Sequence, residues 1–332
     1  MTRRLLSAGE VVVDLVLSVP ALPRRGGDVV ATGVMTETGG AFNVMAAAAR
    51  QGVPVTYAGL LGTGPMAALA RAALAGDGIE VVLPARPDAD TGTVVALVEP
   101  GGERTFVTTL GAEAQLSGAD LAAVPVRPDD IVHVSGYGLA YPGNGPTVAA
   151  WVTTLPERVT VLLDPGPLVA EIPPSLLARV LDRCDWVSCN LTEARALLDD
   201  NDGDDDGDDR GDDRGDPLVM AQRMSGVVGC GVVVRLGERG AVVATGDGPA
   251  GHVPAVAVRA VDLNGAGDAH VGSFIASMAT HGPAFDPVAA LGRANLAAAM
   301  AVSRRGPATA PTGSQIDAGL DAVPPSGGPA GV

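Results

Sequence analysis

The feature that most constrains the fold is an alternation between short apolar runs rich in valine and alanine-rich stretches with helical periodicity. Uniformly apolar strands separated by helices are typical of a parallel sheet that is covered on both faces. The runs predict strands at Val53–Gly59, Asp130–Ser135, Val159–Asp164, Trp186–Cys189, Val232–Arg235 and Ala241–Thr245. Helices are predicted at Asn43–Gln51, Pro65–Gly76, Gly145–Leu155, Thr192–Leu198, Asp268–His281 and Pro287–Arg304. We therefore predict an α/β core that binds ligands at the carboxyl ends of its strands.

Two stretches lack helices between their strands and predict a second, smaller sheet. Residues 11–36 alternate like exposed strands, and residues 91–109 predict a hairpin around Pro100, Gly101 and Gly102. We expect these stretches to form a lid over a cleft in the core. The predicted boundaries are 1–10, 39–90 and 111–320 for the core, 11–38 and 91–110 for the lid, and 321–332 for a flexible tail.

Much of the charge lies in one segment of low complexity. Residues 199–216 contain 11 Asp and 2 Arg, a net −9 of the total −16. Because such a sequence cannot bury a core, we predict a disordered insert over residues 199–217. All 22 basic residues are arginine, which excludes chemistry that requires a lysine. The acidity of the chain also argues against nucleic acid as a partner.

The N-terminal region and the cysteines bear on where the protein works. Glu10 and Asp14 interrupt the apolar run near the N-terminus, so a signal peptide is not predicted, and no apolar run is long enough to span a membrane. Cys184, Cys189 and Cys230 are odd in number and lack C-x-x-C spacing, which indicates neither a disulfide framework nor a zinc site. We expect a cytoplasmic protein with no membrane partner.

The segment most closely tied to chemistry joins a predicted strand, Ala255–Val261, to a helix that begins at Asp268. The small residues Gly265, Ala266 and Gly267 leave backbone amides accessible at the helix N-terminus, where the amides and the helix dipole favour an anion. Asp268 lies beside them and can accept a proton from a hydroxyl that attacks phosphorus. The alternative is that Asp268 only caps the helix and the glycines only form a turn.

Two further motifs lie at predicted helix starts. Gly39 and Gly40 permit close approach of the backbone to a ligand, and Asn43 opens a helix; the alternative is a glycine turn with an asparagine cap. Asn190 and Glu193 are three residues apart, so their side chains point the same way. An amide and a carboxylate there can orient Mg²⁺-bound water and phosphate oxygens. The alternative is a capping box.

The order and spacing of these motifs, together with a tight turn at Arg235–Gly240, resemble the ribokinase-like (PfkB-type) carbohydrate kinase family over residues 5–312. The resemblance implies a ribokinase-like three-layer αβα core with a mostly parallel sheet and a small β-sheet lid. It also implies ATP-dependent transfer of the γ-phosphate to a hydroxyl of a sugar or sugar-like molecule, with Mg²⁺ and a K⁺ site formed by carbonyls near Asp262 and Gly306. Separately, we expect a homodimer through the lid, because an exposed sheet face favours a covering partner.

The resemblance implies a role for each matching residue. Asp268 matches the family's catalytic base, and its anion hole is matched by Gly265, Ala266 and Gly267. The positions that bind the substrate are matched by Asp14, Gly39, Gly40 and Asn43. The positions that bind the nucleotide are matched by Asn190, Glu193, Arg235, Gly237, Gly240, Asn295 and Gly306. Of these, Asn190 and Glu193 are implied to hold Mg²⁺ through water.

Some positions depart from the family pattern, and several readings stay open. Ala41 replaces a lysine and Val12 replaces a polar sugar contact, which argues against ribose but not against the reaction type. Leu263 and His270 also differ from the usual residues. The alternatives are a nucleoside kinase of the same family, a non-catalytic sugar- or nucleotide-sensing protein on the same scaffold, and a dehydrogenase indicated by the glycines at 62–64.

Three other side chains are candidates for the cleft. Arg104 in the predicted hairpin could supply a cation to the transferred group, and the alternative is a solvated charge on a strand. His133 and Tyr137 follow a core strand and are candidates to line the substrate cleft.

Overall fold

The described part of the chain consists of two sheets and the helices packed on them, in a computed structural model that covers residues 2–198, 216–246 and 248–322. The strands are β1 (Leu5–Ser7), β2 (Val11–Ser18), β3 (Gly33–Gly40), β4 (Val55–Tyr57), β5 (Glu80–Val81), β6 (Thr93–Val98), β7 (Arg104–Thr109), β8 (Ile131–Ser135), β9 (Thr160–Asp164), β10 (Trp186–Asn190), β11 (Gly231–Arg235), β12 (Ala241–Ala244) and β13 (Ala250–Val253). The α-helices are α1 (Ala41–Ala49), α2 (Pro65–Gly76), α3 (Gly118–Ala122), α4 (Gly136–Ala140), α5 (Asn144–Val152), α6 (Pro174–Leu181), α7 (Leu191–Leu197), α8 (Pro217–Val228), α9 (Ala266–His281), α10 (Pro287–Val302) and α11 (Gly313–Ala322).

Nine strands form the central sheet, in the order β13-β12-β11-β10-β9-β8-β1-β4-β5. Neighbouring strands from β5 to β11 are parallel, while β12 and β13 are antiparallel at one edge. β8 is buried along its whole length, as expected for a parallel strand with helices on both faces. The predicted α/β core with a mostly parallel sheet is confirmed.

The helices lie in two layers because successive residues of a strand point to opposite faces of the sheet. Leu5 belongs to one buried cluster with Met45 of α1 and Phe274 of α9. The next residue, Leu6, belongs to a second buried cluster with Val152 of α5. The result is a three-layer αβα arrangement whose strand ends remain accessible at one edge.

The second sheet has four strands in the order β3-β2-β6-β7. β6 and β7 form the predicted antiparallel hairpin, and β2 joins it in parallel through β6. β3 pairs antiparallel with β2 up to Gly40, where the chain enters α1. This small sheet is the predicted lid, whereas the residue boundaries of the domains stay predictions.

Some predicted elements differ from the structure. The predicted strand Ala255–Val261 is wrong: its residues form no strand, and Val258 and Val261 are 45% and 57% exposed. The edge strand is instead β13, which ends directly before Pro254, a residue that has no amide to continue the pairing.

The predicted insert 199–217 and tail 321–332 lie mostly outside the described residues. Where they overlap the description, they are helical or adjoin a helix. Asp216 caps α8, Pro217 is its first residue, and α11 continues to Ala322.

Candidate active site

The carboxyl ends of neighbouring parallel strands bring polar side chains to one edge of the central sheet. Strand register aligns Ser135 of β8 with Asp164 of β9, and Asn190 of β10 with Arg235 of β11. In open α/β sheets the crevice outside these strand ends is where ligands bind.

Asp268 lies in the first turn of α9, and the cap of this helix is Gly265, a glycine that the fold requires. Gly265 has a φ of 76°, and a Cβ atom at this position would overlap the carbonyl oxygen of Pro307. Asn43 Nδ2 donates a hydrogen bond to Asp268 Oδ2 at 3.1 Å. Burial and the nearby Asp164 raise the pKa of Asp268 to about 6, although Asn43 and Arg235 oppose the shift. The carboxylate is therefore mostly ionised at neutral pH.

The amides before Asp268 are only partly as predicted. The Ala266 amide donates to the Leu263 carbonyl at 3.3 Å, so the expectation that it is open for an anion is wrong. The amides of Gly265 and Gly267 have no acceptor among the described residues. A Cβ atom at Gly267 would lie 3.5 Å from Arg235 Nε, which brings a guanidinium close to the same helix turn.

Arg235 is a buried cation at the centre of three carboxylates. Its Nη2 lies 3.3 Å from Glu193 Oε2 and 3.5 Å from Asp164 Oδ1, and its Nη1 donates to Ser188 Oγ at 2.8 Å. Burial lowers the pKa of Arg235, but Asp164, Glu193 and Asp268 outweigh it, so the net shift is upward. Arg235 thus carries a permanent positive charge beside the open amides.

Asp164 is a site residue that the sequence reasoning missed. It is the last residue of β9, and its Oδ1 is buried without a hydrogen-bond partner. Its position in the sequence could have identified it, because a carboxylate at the end of a predicted parallel strand faces the ligand crevice.

Asn190 and Glu193 form the capping box at the start of α7. Asn190 Oδ1 accepts from the Glu193 amide at 2.8 Å, and Glu193 Oε2 accepts from the Asn190 amide at 2.8 Å. Asn190 Nδ2 also donates to Glu193 Oε1 at 2.9 Å. The capping alternative is therefore realised, and the Mg²⁺ role of the pair stays a prediction.

Asp14 of β2 lies over the glycines at the end of β3. A Cβ atom at Gly39 would overlap the Asp14 carboxylate, and Gly40 has a φ of 65°. Burial raises the pKa of Asp14 to about 7, and the negative charges of Glu37 and Asp268 add to the shift. The predicted substrate residues are thus brought together with Asp268 at the edge of the lid.

Asn43 is placed differently from the sequence prediction. Helix α1 begins at Ala41 and its cap position is Gly40, so Asn43 is the third helical residue and not the cap. Its side chain is 6% exposed, and its Oδ1 is buried without a hydrogen-bond partner. Because Asn43 does not cap the helix, its Nδ2 can donate to Asp268, and its Oδ1 remains able to accept from a ligand.

Arg104 is not free to serve as the predicted cation. It forms an ion pair with Asp262, which also accepts from the amides of Asn264 at 3.0 Å and Gly306 at 3.1 Å. Burial would raise the pKa of Asp262, but these amides and Arg104 lower it overall. The ion pair links the lid to the core. The K⁺ site expected from carbonyls near Asp262 and Gly306 stays a prediction.

The remaining predicted nucleotide positions lie in separate segments of the chain. Gly237 and Gly240 shape the turn between β11 and β12. Asn295 is 6% exposed, and its amide donates to the carbonyls of Val253 and Pro254. Its Oδ1 bonds His270 Nε2, so the polar atoms of Asn295 are all used internally and its predicted contact with the nucleotide gains no support.

Of the two residues predicted to line the cleft, only one reaches its surface. His133 is 1% exposed and bonds Ser7 Oγ through Nδ1 at 3.0 Å, and burial lowers the pKa of His133 to about 4. Tyr137 is 38% exposed. Burial, followed by the charges of Glu10 and Asp268, raises the pKa of Tyr137 to about 12.

The structure contradicts the dehydrogenase alternative. The helix after the glycines at 62–64 is α2, and amides of its first turn already donate to a carboxylate of the protein. Asp90 accepts from the amides of Met66 at 3.1 Å and Ala67 at 2.8 Å. Because an internal carboxylate occupies this helix N-terminus, a dinucleotide pyrophosphate cannot bind there.

Comparison with known proteins identifies the family. A model described as pfkB family carbohydrate kinase matches residues 2–313. The chain is 33% identical over 309 residues to an uncharacterized sugar kinase of Escherichia coli (strain K12), YegV, covering 93% of this chain and 91% of the relative. It is 31% identical over 326 residues to an ATP-dependent ribose-1-phosphate kinase of Halopiger xanaduensis, covering 96% and 98%.

Solved structures share the fold. Ribokinase from Giardia lamblia has a TM-score of 0.79 at 22% identity, covering 97% of this chain and 99% of that one. Arabidopsis thaliana ribokinase complexed with ribose and ATP has a TM-score of 0.74 at 22% identity, covering 96% and 98%. The family match and the sugar kinase relatives define a phosphotransferase with an alcohol group as acceptor. This chain belongs to the pfkB family of carbohydrate kinases, so the resemblance found in the sequence is confirmed.

Within the described ranges, no helix is both long enough and apolar enough to cross a bilayer. The cytoplasmic location stays a prediction.

Proposed function

We propose that this enzyme transfers the γ-phosphate of ATP to a hydroxyl of a sugar or sugar-like small molecule, with Asp268 as the general base. The observation that carries the proposal is the hydrogen bond from Asn43 to Asp268, next to the amides of Gly265 and Gly267, which have no acceptor among the described residues. A base and an anion-binding turn on the same helix start are what an attack on phosphorus requires.

In the proposed reaction the substrate hydroxyl lies against Asp14 and Asn43. Asp268 accepts its proton while the oxygen bonds to the γ-phosphorus, the bond to the β-phosphate oxygen breaks, and ADP leaves. The amides of Gly265 and Gly267 donate to the phosphoryl oxygens, where charge develops. Because phosphoryl transfer depends on positioning and electrostatics more than on covalent help, the lack of lysine is no obstacle.

We infer that Mg²⁺ accompanies ATP beside Asp164 and Glu193. Asp164 Oδ1 is buried without a hydrogen-bond partner, and carboxylates and water are the ligands that Mg²⁺ prefers. The two residues would hold the ion through water, since no group of three or more His, Cys, Asp or Glu side chains suited to a metal is found in the described chain. When bound, Mg²⁺ neutralises phosphate charge. The K⁺ prediction has no comparable support.

We also propose that two copies associate through the lid. β7 is the edge strand of the small sheet and is exposed over most of its length, including Phe106 at 58% and Val107 at 57%. An exposed apolar edge strand favours pairing with another chain. Sedimentation that gives a monomer at all concentrations would contradict this.

The proposed function is tested by measuring ADP release from ATP and Mg²⁺ with a panel of sugars, polyols, nucleosides and sugar phosphates. We expect ADP release that requires both an acceptor and Mg²⁺. Binding of an acceptor without ADP release would favour the non-catalytic alternative. ADP release with a nucleoside alone would favour the nucleoside kinase.

A further inference from the structure

Glu10 is a buried carboxylate at the crevice for which the proposed reaction has no role. It lies between β1 and β2, at the carboxyl end of the central strand, and is 5% exposed. Ser135 Oγ donates to Glu10 Oε1 at 3.0 Å, whereas Oε2 is buried without a hydrogen-bond partner. A Cβ atom at Gly138 would lie 3.5 Å from Oε2, so a residue without a side chain faces this oxygen.

A buried carboxylate oxygen without a donor is costly unless a ligand supplies one. Asn43 Oδ1, beside Asp268, is a second buried acceptor without a partner. Glu10 contacts Ser135, which strand register aligns with Asp164, and Asn43 contacts Asp268. The two unpartnered acceptors therefore lie at the strand ends that hold the proposed base. Burial raises the pKa of Glu10 to about 7, and the negative charge of Asp268 adds to the shift.

The charges around these acceptors are negative. Asp14 interacts with Glu37 and Asp268, and burial together with these charges raises its pKa to about 7. Two arginines of the described chain reach the crevice, and both are already paired: Arg104 with Asp262, and Arg235 with Asp164 and Glu193. An anionic group on the acceptor substrate would meet carboxylates here and find both cations engaged.

We infer that Glu10 and Asn43 accept hydrogen bonds from hydroxyls of an uncharged acceptor substrate, and that the site rejects sugar phosphates and sugar acids. The inference rests on the proposed function. It separates this chain from the relative named as a ribose-1-phosphate kinase, despite 31% identity over nearly the full length. Hydroxyls supply the donors that both acceptors lack, whereas a phosphate or carboxylate supplies none and adds repulsion.

The first experiment compares acceptor classes on the wild-type enzyme. ADP release is measured with uncharged pentoses, hexoses, polyols and nucleosides, and separately with sugar 1-phosphates and sugar acids. We expect kcat/KM for the best uncharged acceptor to exceed that for any anionic one by about 100-fold or more. Comparable turnover of an anionic acceptor would overturn the inference but leave the kinase proposal intact. No ADP release with either class would reject both.

The second experiment assigns the effect to Glu10. Glu10→Gln keeps the volume but removes the charge, and at about pH 8 we expect it to raise KM for the uncharged acceptor about 10-fold with little change in kcat. Glu10→Gln should also lower the ratio of kcat/KM for uncharged acceptors to kcat/KM for anionic acceptors. Ser135→Ala, which releases Glu10 Oε1, should raise KM in the same direction.

The matched control is Glu157→Gln, the same substitution at an exposed position. It should leave KM and the discrimination unchanged. Thermal unfolding of each variant separates loss of fold from loss of binding. If Glu10→Gln and Ser135→Ala are both folded and both have the wild-type KM, the role of Glu10 is contradicted.

Discussion

At the residue scale, Asp268 combines a proton acceptor with a fixed position. Asn43 donates to one of its oxygens, and the first turn of α9 holds its backbone. Asp268→Asn keeps the size of the side chain but removes the acceptor for the substrate proton. We expect kcat to fall about 10²- to 10⁴-fold, with acceptor binding and thermal stability nearly unchanged.

Steady-state kinetics and thermal unfolding measure this change. Asp88→Asn, at an exposed position, is the control and should keep wild-type kinetics. A turnover near that of wild type in Asp268→Asn would remove Asp268 from the role of base.

The neighbours of Asp268 predict how activity depends on pH. A general base must be ionised, so kcat/KM should fall as the pH drops through about 6, the pKa of Asp268. The charge of Asp164 raises this pKa, so Asp164→Asn should move the decline to lower pH. The measurement is the pH profile of kcat/KM for both proteins under saturating ATP. A decline at the same pH in Asp164→Asn would show that Asp164 does not set the pKa.

Sequence reasoning identified residues whose chemistry is contained in one motif, and it missed those defined by distant contacts. Asp268 directly follows Gly265, Ala266 and Gly267, three small residues, so its place at a helix start could be predicted. Asn43 was predicted as a substrate residue with a helix cap as the alternative, but its bond to Asp268 could not be predicted because the two are 225 residues apart. Glu10 and Asp164 were not singled out, since each becomes a site residue only when neighbouring strands align.

At the scale of elements, the start of α9 depends on one glycine and tolerates change at another. Gly265→Ala would force a Cβ atom into the Pro307 carbonyl at a φ of 76°. Gly267→Ala would place its Cβ in ordinary contact, 3.5 Å from Arg235 Nε. We expect Gly265→Ala to lower the free energy of unfolding by about 1–3 kcal/mol or more, and Gly267→Ala to change it little.

Urea unfolding of the two variants and wild type tests this pair. The substitutions are chemically identical and two residues apart, so general effects of an added methyl group cancel. Equal stability of the two variants would show that the strained turn does not anchor the helix.

The buried strands were predictable because parallel pairing makes them apolar on both faces. β8 matches its prediction to within one residue, and β11 likewise. The run Ala255–Val261 has the same valine-rich composition but lies beyond the edge strand, where Pro254 ends the pairing. Composition alone could not distinguish a buried strand from an exposed segment that follows one.

At the scale of the whole molecule, the site is held by contacts between the lid, the core sheet and α9. Arg104 of the lid pairs with Asp262 of the core, and Asp14 of the lid lies in the electrostatic field of Asp268. The lid and the core bring several carboxylates close together in this crevice. Their mutual repulsion raises the free energy of the folded protein unless protonation, a cation or a ligand reduces it. The stability of the fold must then depend on pH through these buried groups.

The contribution of Glu10 to the pH dependence of stability can be measured as the difference in the free energy of unfolding between wild type and Glu10→Gln. Its pKa is near 4.5 when unfolded and about 7 in the folded protein, so between these values the folded state binds more protons. The contribution of Glu10 to the free energy of unfolding therefore falls as pH rises. The free energy of unfolding of Glu10→Gln, relative to that of wild type, should therefore rise by on the order of 2 kcal/mol from about pH 5 to about pH 8.

Urea unfolding at both pH values measures the gain. His133 and His270, whose pKa values burial lowers to about 4 and about 3, titrate in the opposite sense. They do so equally in wild type and variant, so their effect cancels in the difference. Glu157→Gln should show the same difference from wild type at both pH values. A pH-independent difference for Glu10→Gln as well would mean that the Glu10 carboxylate has an ordinary pKa, and that the crevice is less acidic than its geometry indicates.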